Sequence, residues 1–124
     1  MTSRLALLLA SFFLFAAVAF GAFGAHALKA KLASDMMAVY QTAVQYHFWH
    51  ALGLLGIGAL IGQRPDSGVL GAAGWLLVAG MLLFSGSLYA LALTGVRGFG
   101  AVTPIGGVAF LGGWVCLAWA AWRW

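Results

Sequence analysis

Long apolar stretches separated by short polar segments dominate the pattern of the chain. Four intervals contain no charged residue: 5–28, 36–63, 67–96 and 98–122. A helix needs about 20 apolar residues to cross a bilayer core of about 30 Å, and each interval is long enough. The pattern therefore predicts an all-α fold, an integral membrane four-helix transmembrane bundle, as a single domain over residues 1–124. We predict membrane spans at about 5–27, 41–61, 69–93 and 104–122.

Capping residues occur near these boundaries. Gly62 suits the C-terminal cap of the second span. Asp66 or Ser67 is available as the N-cap of the third span. Thr103 and Pro104 predict the start of the fourth span, with a capping hydroxyl followed by proline at the first helical position.

Composition excludes the main soluble classes. Hydrophobic residues make up 65% of the chain and charged residues 6%, whereas soluble domains carry about 25% charged residues. Disordered chains are poor in apolar residues, so disorder is excluded as well. Six basic residues scattered singly form no basic patch, so we expect no nucleic acid partner. The expected surroundings are membrane lipid, and the single cysteine, Cys116, is interpreted as a small core residue.

The first apolar stretch, residues 5–25, ends in an Ala-His-Ala sequence that resembles a signal-peptide cleavage site. It is longer than the hydrophobic core of a secretory signal, so we interpret it as a membrane helix. An even number of spans places both termini on one side. The basic residues divide equally between the two sides: Arg4, Arg64 and Arg123 against Lys29, Lys31 and Arg97. The N-terminal amine adds one positive charge to the terminal side, so we predict cytoplasmic termini.

Glycine is abundant, with 18 residues, many of them within the spans. Small residues three or four positions apart let membrane helices approach closely, and Gly58 and Gly62 have this spacing. The pattern predicts close packing within the bundle. It also favours packing between subunits, as a homo-oligomer or within a larger membrane complex.

A small set of polar residues lies at membrane depth in the half of the bilayer opposite the termini. At about 1.5 Å per residue, His47, His50, Ser85 and Ser87 all lie roughly 9–14 Å from the boundary. The candidate ligand-binding or interhelical cluster comprises His26, Tyr46, His47, His50, Ser85, Ser87 and Tyr89. Lys29 and Arg97 lie at the boundary and are candidate contacts for an anionic head group or simple snorkelling residues.

His47 and His50 are three residues apart and so share one helical face. A zinc site needs three or four protein ligands, so we predict no metal site and assign no cofactor. Two rings on one helix side cannot clamp a single haem, although a haem held between two subunits remains open. The alternative is interhelical hydrogen bonding from His50 to Ser85, Ser87 or Tyr89.

Residue sets typical of enzymes are missing. The two carboxylates, Asp35 and Asp66, lie in loops on opposite sides of the membrane and cannot act as an acid–base pair. The serines have no nearby acid to orient a histidine beside them. We therefore expect no enzyme and name no catalytic residue. No charged residue lies inside a span, which also disfavours an ion-coupled pump.

Several segments resemble one known family. They are Gly21-Ala22-Phe23-Gly24-Ala25-His26, Phe84-Ser85-Gly86-Ser87-Leu88-Tyr89, Thr103-Pro104-Ile105-Gly106-Gly107 and Gly113-Trp114, with the opening Met1-Thr2-Ser3-Arg4. Together they resemble the YgdD-like family of small four-span inner-membrane proteins of bacteria, a domain of unknown function with mitochondrial relatives. The resemblance implies a multi-pass protein of the bacterial inner membrane with cytoplasmic termini. Residues 46–50 resemble the family's Tyr-Gln-x-Phe-His, so His50 matches and His47 stands where glutamine is common.

Two functional hypotheses follow. The leading one is a non-enzymatic helical bundle that self-associates or packs into a larger membrane complex. The alternative is a binding module for a lipid or a hydrophobic cofactor, a quinone or with less support a haem, in the half-membrane opposite the termini.

Overall fold

The computed structural model describes all 124 residues, and every regular element in it is helical. The α-helices are α1 (Ser3–Phe23), α2 (Ser34–Gln63), α3 (Gly68–Gly80), α4 (Gly86–Thr94) and α5 (Thr103–Trp122). A π turn at Gly24–Leu28 extends α1, and a second at Met81–Ser85 joins α3 to α4. A 3-10 turn at Arg97–Ala101 precedes α5. The result is four helical rods, which confirms the predicted four-helix fold.

Three of the rods are long and apolar enough to cross a membrane: 3–28, 68–94 and 97–122. Helix α2 is less apolar because it carries three glutamines and two histidines. Its 30 residues nevertheless extend for about 45 Å at about 1.5 Å per residue. This exceeds a bilayer core of about 30 Å. Helix α2 also returns the chain from the end of the first rod to the start of the third, so it completes the transmembrane bundle.

The rods pack in two pairs that meet through α2. Helix α1 lies along α2, α5 lies along α3, and α2 also contacts α3 and α4. Four aliphatic side chains are fully buried where these helices meet: Leu54, Ile57, Leu70 and Leu77. Many large apolar side chains on α1 and α5 are exposed, Phe15 and Trp122 most of all. That surface suits lipid tails rather than water.

Both chain termini lie at one end of the bundle. The Met1 amine lies beside Gly71 at the start of α3, and the Arg64 guanidinium lies 4.6 Å from the centre of a Trp124 ring. The segment between α1 and α2 and the 3-10 turn before α5 lie at the opposite end. We call these the terminal end and the loop end.

The predicted caps have mixed outcomes. Ser67 caps α3, since its Oγ accepts a hydrogen bond of 3.3 Å from the Leu70 N–H. Gly62 is not the cap of α2, because the helix continues to Gln63; its missing side chain instead makes room for Ser3 of α1. Thr103 begins α5 but does not cap it, because its hydroxyl bonds to Ser87.

Glycines mark the points where the rods approach most closely. A Cβ atom at Gly106 of α5 would overlap the Phe84 backbone nitrogen and lie 2.7 Å from the Phe84 Cα. Gly80 makes similar room for the Phe110 ring, and Gly113 for Leu77. Gly56 of α2 has nothing within 4 Å and faces outward. The membrane glycines therefore mainly serve packing within the chain.

Replacing Gly106 by alanine is expected to destabilise the protein by about 1–3 kcal/mol, the usual cost of overpacking, because the obstacle is backbone and not a movable side chain. Gly56→Ala is the matched control and is expected to leave stability unchanged or slightly raised. Thermal unfolding in mild detergent measures both. Equal melting temperatures for the two variants would contradict the assignment of Gly106 as a close contact.

Candidate functional site

His50 is held by hydrogen bonds at both ring nitrogens. Its Nδ1 lies 2.7 Å from the Tyr46 carbonyl oxygen one turn earlier in α2. Its Nε2 lies 3.1 Å from Nε1 of Trp114 on α5. A carbonyl oxygen only accepts and an indole N–H only donates, so Nδ1 carries the proton and Nε2 is the acceptor. The geometry therefore specifies a neutral ring with a defined tautomer.

Aromatic rings enclose the same histidine. The Phe110 ring stacks on His50 with centroids 3.5 Å apart and planes 15° apart. Tyr46 lies nearly parallel to the His50 ring at 5.9 Å, and only 6% of His50 is exposed. With both nitrogens hydrogen-bonded and the ring buried against Phe110, His50 is a packing and hydrogen-bonding residue between α2 and α5. The expected bonds from His50 to Ser85, Ser87 or Tyr89 are wrong.

The two serines of the cluster also bond elsewhere. Ser85 belongs to the second π turn and donates to the Ala43 carbonyl of α2 at 2.9 Å. Ser87 donates to the Phe84 carbonyl at 2.9 Å and lies 2.6 Å from the Thr103 hydroxyl. Since a hydroxyl carries one hydrogen, Thr103 is the donor in the second contact. The serines thus tie the π turn to α2 on one side and to α5 on the other.

Ser85 ends the π turn, and Ser87 follows it by two residues. The Gly86 N–H bonds to the Met81 carbonyl five residues earlier, so the turn contains one more residue than an α-helical turn. That extra residue rotates the following side chains around the helix axis. Single π turns of this kind are frequent at functional sites.

His47 contacts different neighbours from His50, on α1 and α4. Its Nδ1 lies 2.9 Å from the Tyr89 hydroxyl, and its ring meets Phe13 and Phe20 of α1 edge-on. Its Nε2 is buried and has no hydrogen-bond partner. The Phe13 backbone lies near the ring but forms no hydrogen bond of normal geometry with it. A buried nitrogen without a partner costs about 1–3 kcal/mol.

A narrow cleft of about 190 Å³ adjoins this histidine between α1 and the α3–α4 rod. Its lining is almost wholly apolar, with His47 and Tyr89 as the polar exceptions. The lining residues are Phe12, Phe13, Ala16, Phe20, His47, Met81, Leu82, Gly86 and Tyr89.

The predicted cluster therefore separates into two sites and several outlying residues. Tyr46 and His50 belong to the α2–α5 contact, whereas His47 and Tyr89 belong to the cleft beside α1. His26, Lys29 and Arg97 are exposed at the loop end. No group of three metal-ligating side chains comes together. His47 and His50 form hydrogen bonds with different neighbours, Tyr89 and Trp114.

Trp114 is the residue that sequence reasoning missed. Its indole N–H is the partner of His50, and its ring occupies space that Gly53 leaves open on α2. A signal existed, because a tryptophan in mid-span has an N–H that needs an acceptor and few candidates exist at that depth. Phe110, one turn earlier, carried no comparable signal.

Comparison with known proteins identifies related sequences. Residues 20–107 match the family described as "Protein of unknown function (DUF423)". The chain is 48% identical over 105 residues to the UPF0382 membrane protein YwdK of Bacillus subtilis (strain 168), covering 85% of each protein. It is 52% identical over 101 residues to a UPF0382 membrane protein of Staphylococcus epidermidis, covering 82% of this chain and 81% of that one.

A third relative covers almost the whole chain. Identity is 43% over 117 residues to the UPF0382 inner membrane protein YgdD of Escherichia coli (strain K12), covering 94% of this chain and 88% of the relative. No solved structure matches the chain. The resemblance to YgdD-like proteins is confirmed. This chain therefore belongs to the DUF423 family, whose relatives are named UPF0382 membrane proteins.

Proposed function

We propose that this protein is a non-enzymatic helical bundle that associates with a second copy of itself through a groove between α1 and α2. The groove has a volume of about 390 Å³. Small residues of the first rod form one wall, and α2 forms the other. Its lining residues are Gly21, Gly24, Ala25, Met37, Tyr40, Gln41, Val44 and Gln45.

Two exposed glutamines are the observation that carries this proposal. Gln41 and Gln45 lie one turn apart on the outer face of α2, and neither amide bonds to another group of the chain. Gln45 lies about 6 Å deeper than Gln41 by the helix rise. A primary amide facing lipid leaves donors and acceptors unsatisfied, which favours a protein partner at that position.

The chemistry of the amide indicates a second copy as that partner. Each glutamine side chain both donates and accepts hydrogen bonds, so two copies related by a twofold axis along the membrane normal satisfy each other. Such an interface needs no complementary charge, and the groove contains none. Most glycines already pack within the chain, so the amides and not the glycines support this proposal.

Replacing Gln45 by leucine is expected to weaken the dimer. Interhelical hydrogen bonds in membranes contribute about 0.6–2 kcal/mol, so the dissociation constant should rise by about threefold to thirtyfold. Energy transfer between labelled copies in liposomes, at increasing lipid-to-protein ratios, measures the constant. Gln63→Leu is the matched control, since Gln63 is exposed on the same helix outside the groove. A wild-type protein that stays monomeric at every ratio would exclude the proposal.

A second candidate function rests on the unpartnered nitrogen of His47. A lipid ester or a quinone entering the cleft beside α1 would bring an oxygen to this nitrogen while its apolar part contacts the phenylalanines. The exposed Lys29 and Arg97 at the loop end do not line this cleft. Lys29 and Arg97 remain candidate contacts for an anionic lipid head group only.

His47→Phe is expected to weaken binding of a short-chain quinone by at most about tenfold, the value of one hydrogen bond, while keeping the size and shape of the ring. The same variant is expected to change stability little, because it removes a buried unpaired nitrogen but also the hydrogen-bond partner of the Tyr89 hydroxyl. Native mass spectrometry with added quinone, and solvent extraction of the purified protein, measure retention. His26→Phe at the exposed loop end is the control. Absence of bound quinone and lipid from the wild type would refute this candidate.

A further inference from the structure

A cavity of about 200 Å³ lies at the terminal end of the bundle, away from both sites described above. The turn before α3 forms one wall, and the end of α5 forms the other. Its polar and aromatic lining consists of Arg64, Ser67, Trp119, Arg123 and Trp124. Arg64 and Arg123 are distant in sequence, and only the folded bundle brings them to one space.

The cavity brings together two arginines that no side-chain carboxylate neutralises. Neither Arg64 nor Arg123 forms a salt bridge with a side-chain carboxylate. Asp66 lies in the adjoining turn but is exposed and does not line the cavity. Two neighbouring guanidinium groups repel each other, and a bound anion between them would relieve that repulsion.

Each of the two guanidinium groups lies over a tryptophan ring. Arg64 lies 4.6 Å from the centre of a Trp124 ring, and Arg123 lies 5.7 Å from a Trp119 ring. Stacking of this kind orients a guanidinium while leaving its edge N–H groups free to donate. The α3 helix also begins at the cavity, with Ser67 as its cap, so the positive end of its dipole faces the same space.

The position of the cavity indicates the source of the anion. Trp119 and Trp122 are exposed near the end of α5, as in an aromatic belt at the membrane–water boundary. Lipid phosphates lie at this level. A guanidinium group can donate two parallel hydrogen bonds to two oxygens of one phosphate. Basic pockets between membrane helices accommodate anionic head groups.

From these observations we infer that Arg64 and Arg123 form a binding site for the phosphate group of an anionic membrane lipid. The site is independent of the glutamine groove and the His47 cleft, which lie elsewhere on the bundle. It therefore does not depend on either proposed function.

Native mass spectrometry in mild detergent tests this site with phosphatidylglycerol and phosphatidylcholine as probes. The wild type is expected to retain phosphatidylglycerol in preference to phosphatidylcholine. Arg64→Gln and Arg123→Gln are each expected to weaken this retention about fivefold, which corresponds to about 1 kcal/mol per basic residue. Arg64→Lys keeps the charge but loses paired donation, so retention should be intermediate.

Two controls separate the site from general positive charge. Arg4→Gln removes an exposed charge at the same end outside the cavity, and Lys31→Gln removes one at the loop end. Both are expected to retain phosphatidylglycerol as the wild type does. Thermal unfolding of every variant, and the lysine variant in particular, separates lost binding from lost folding.

A competition experiment distinguishes a lipid site from a site for free phosphate. Inorganic phosphate added at millimolar concentration is expected to leave bound phosphatidylglycerol in place, because the lipid's acyl chains add contacts with the apolar surface. Displacement by inorganic phosphate would overturn the assignment to lipid and show a site for the free anion. Equal retention of the two lipids, or undiminished retention by folded Arg64→Gln and Arg123→Gln proteins, would overturn the site itself.

Discussion

The close approach of α5 to the π turn at Phe84 is the contact on which the rest of the structure depends. Gly106 has no side chain, so the α5 backbone lies directly against the backbone of Met81–Ser85. In lipid there is no hydrophobic force between helices, and association relies on such packing and on hydrogen bonds. The same approach brings Thr103 to Ser87, and it positions the more distant Trp114 against His50.

Hydrogen-bond satisfaction accounts for most of the polar residues at depth. No water is available in a bilayer core, so each buried donor needs a protein partner. His50, Ser85 and Ser87 all have one. The Ser85 bond reaches α2 and the Ser87 contact reaches α5, whereas the His50 Nδ1 bond stays within its own turn of α2. His47 is the exception at one nitrogen. Because the other buried polar side-chain atoms are satisfied, this one unpaired buried atom is informative.

Much of the architecture was predictable because charge spacing is a local property of the chain. The charge-free intervals and the turn at Pro65 predict four rods with both termini at one end, and the structure has this arrangement. The π turns were not predictable, since their residues, such as Met81 and Phe84, have ordinary helical propensities. The pairing of His50 was not predictable either, because a three-residue spacing defines a helix face but not the neighbour that the face meets.

The sequence by itself determined the class of the molecule and its membrane environment, because these depend only on the order of apolar and charged side chains. Tertiary structure alone decided the partners. It directs His47 and His50 to different neighbours, and it brings Arg64 and Arg123 into one cavity. The physical reason is that contacts between rods depend on the rotation and closeness of whole helices. These are set by where a glycine admits a neighbouring backbone and where a π turn adds one residue.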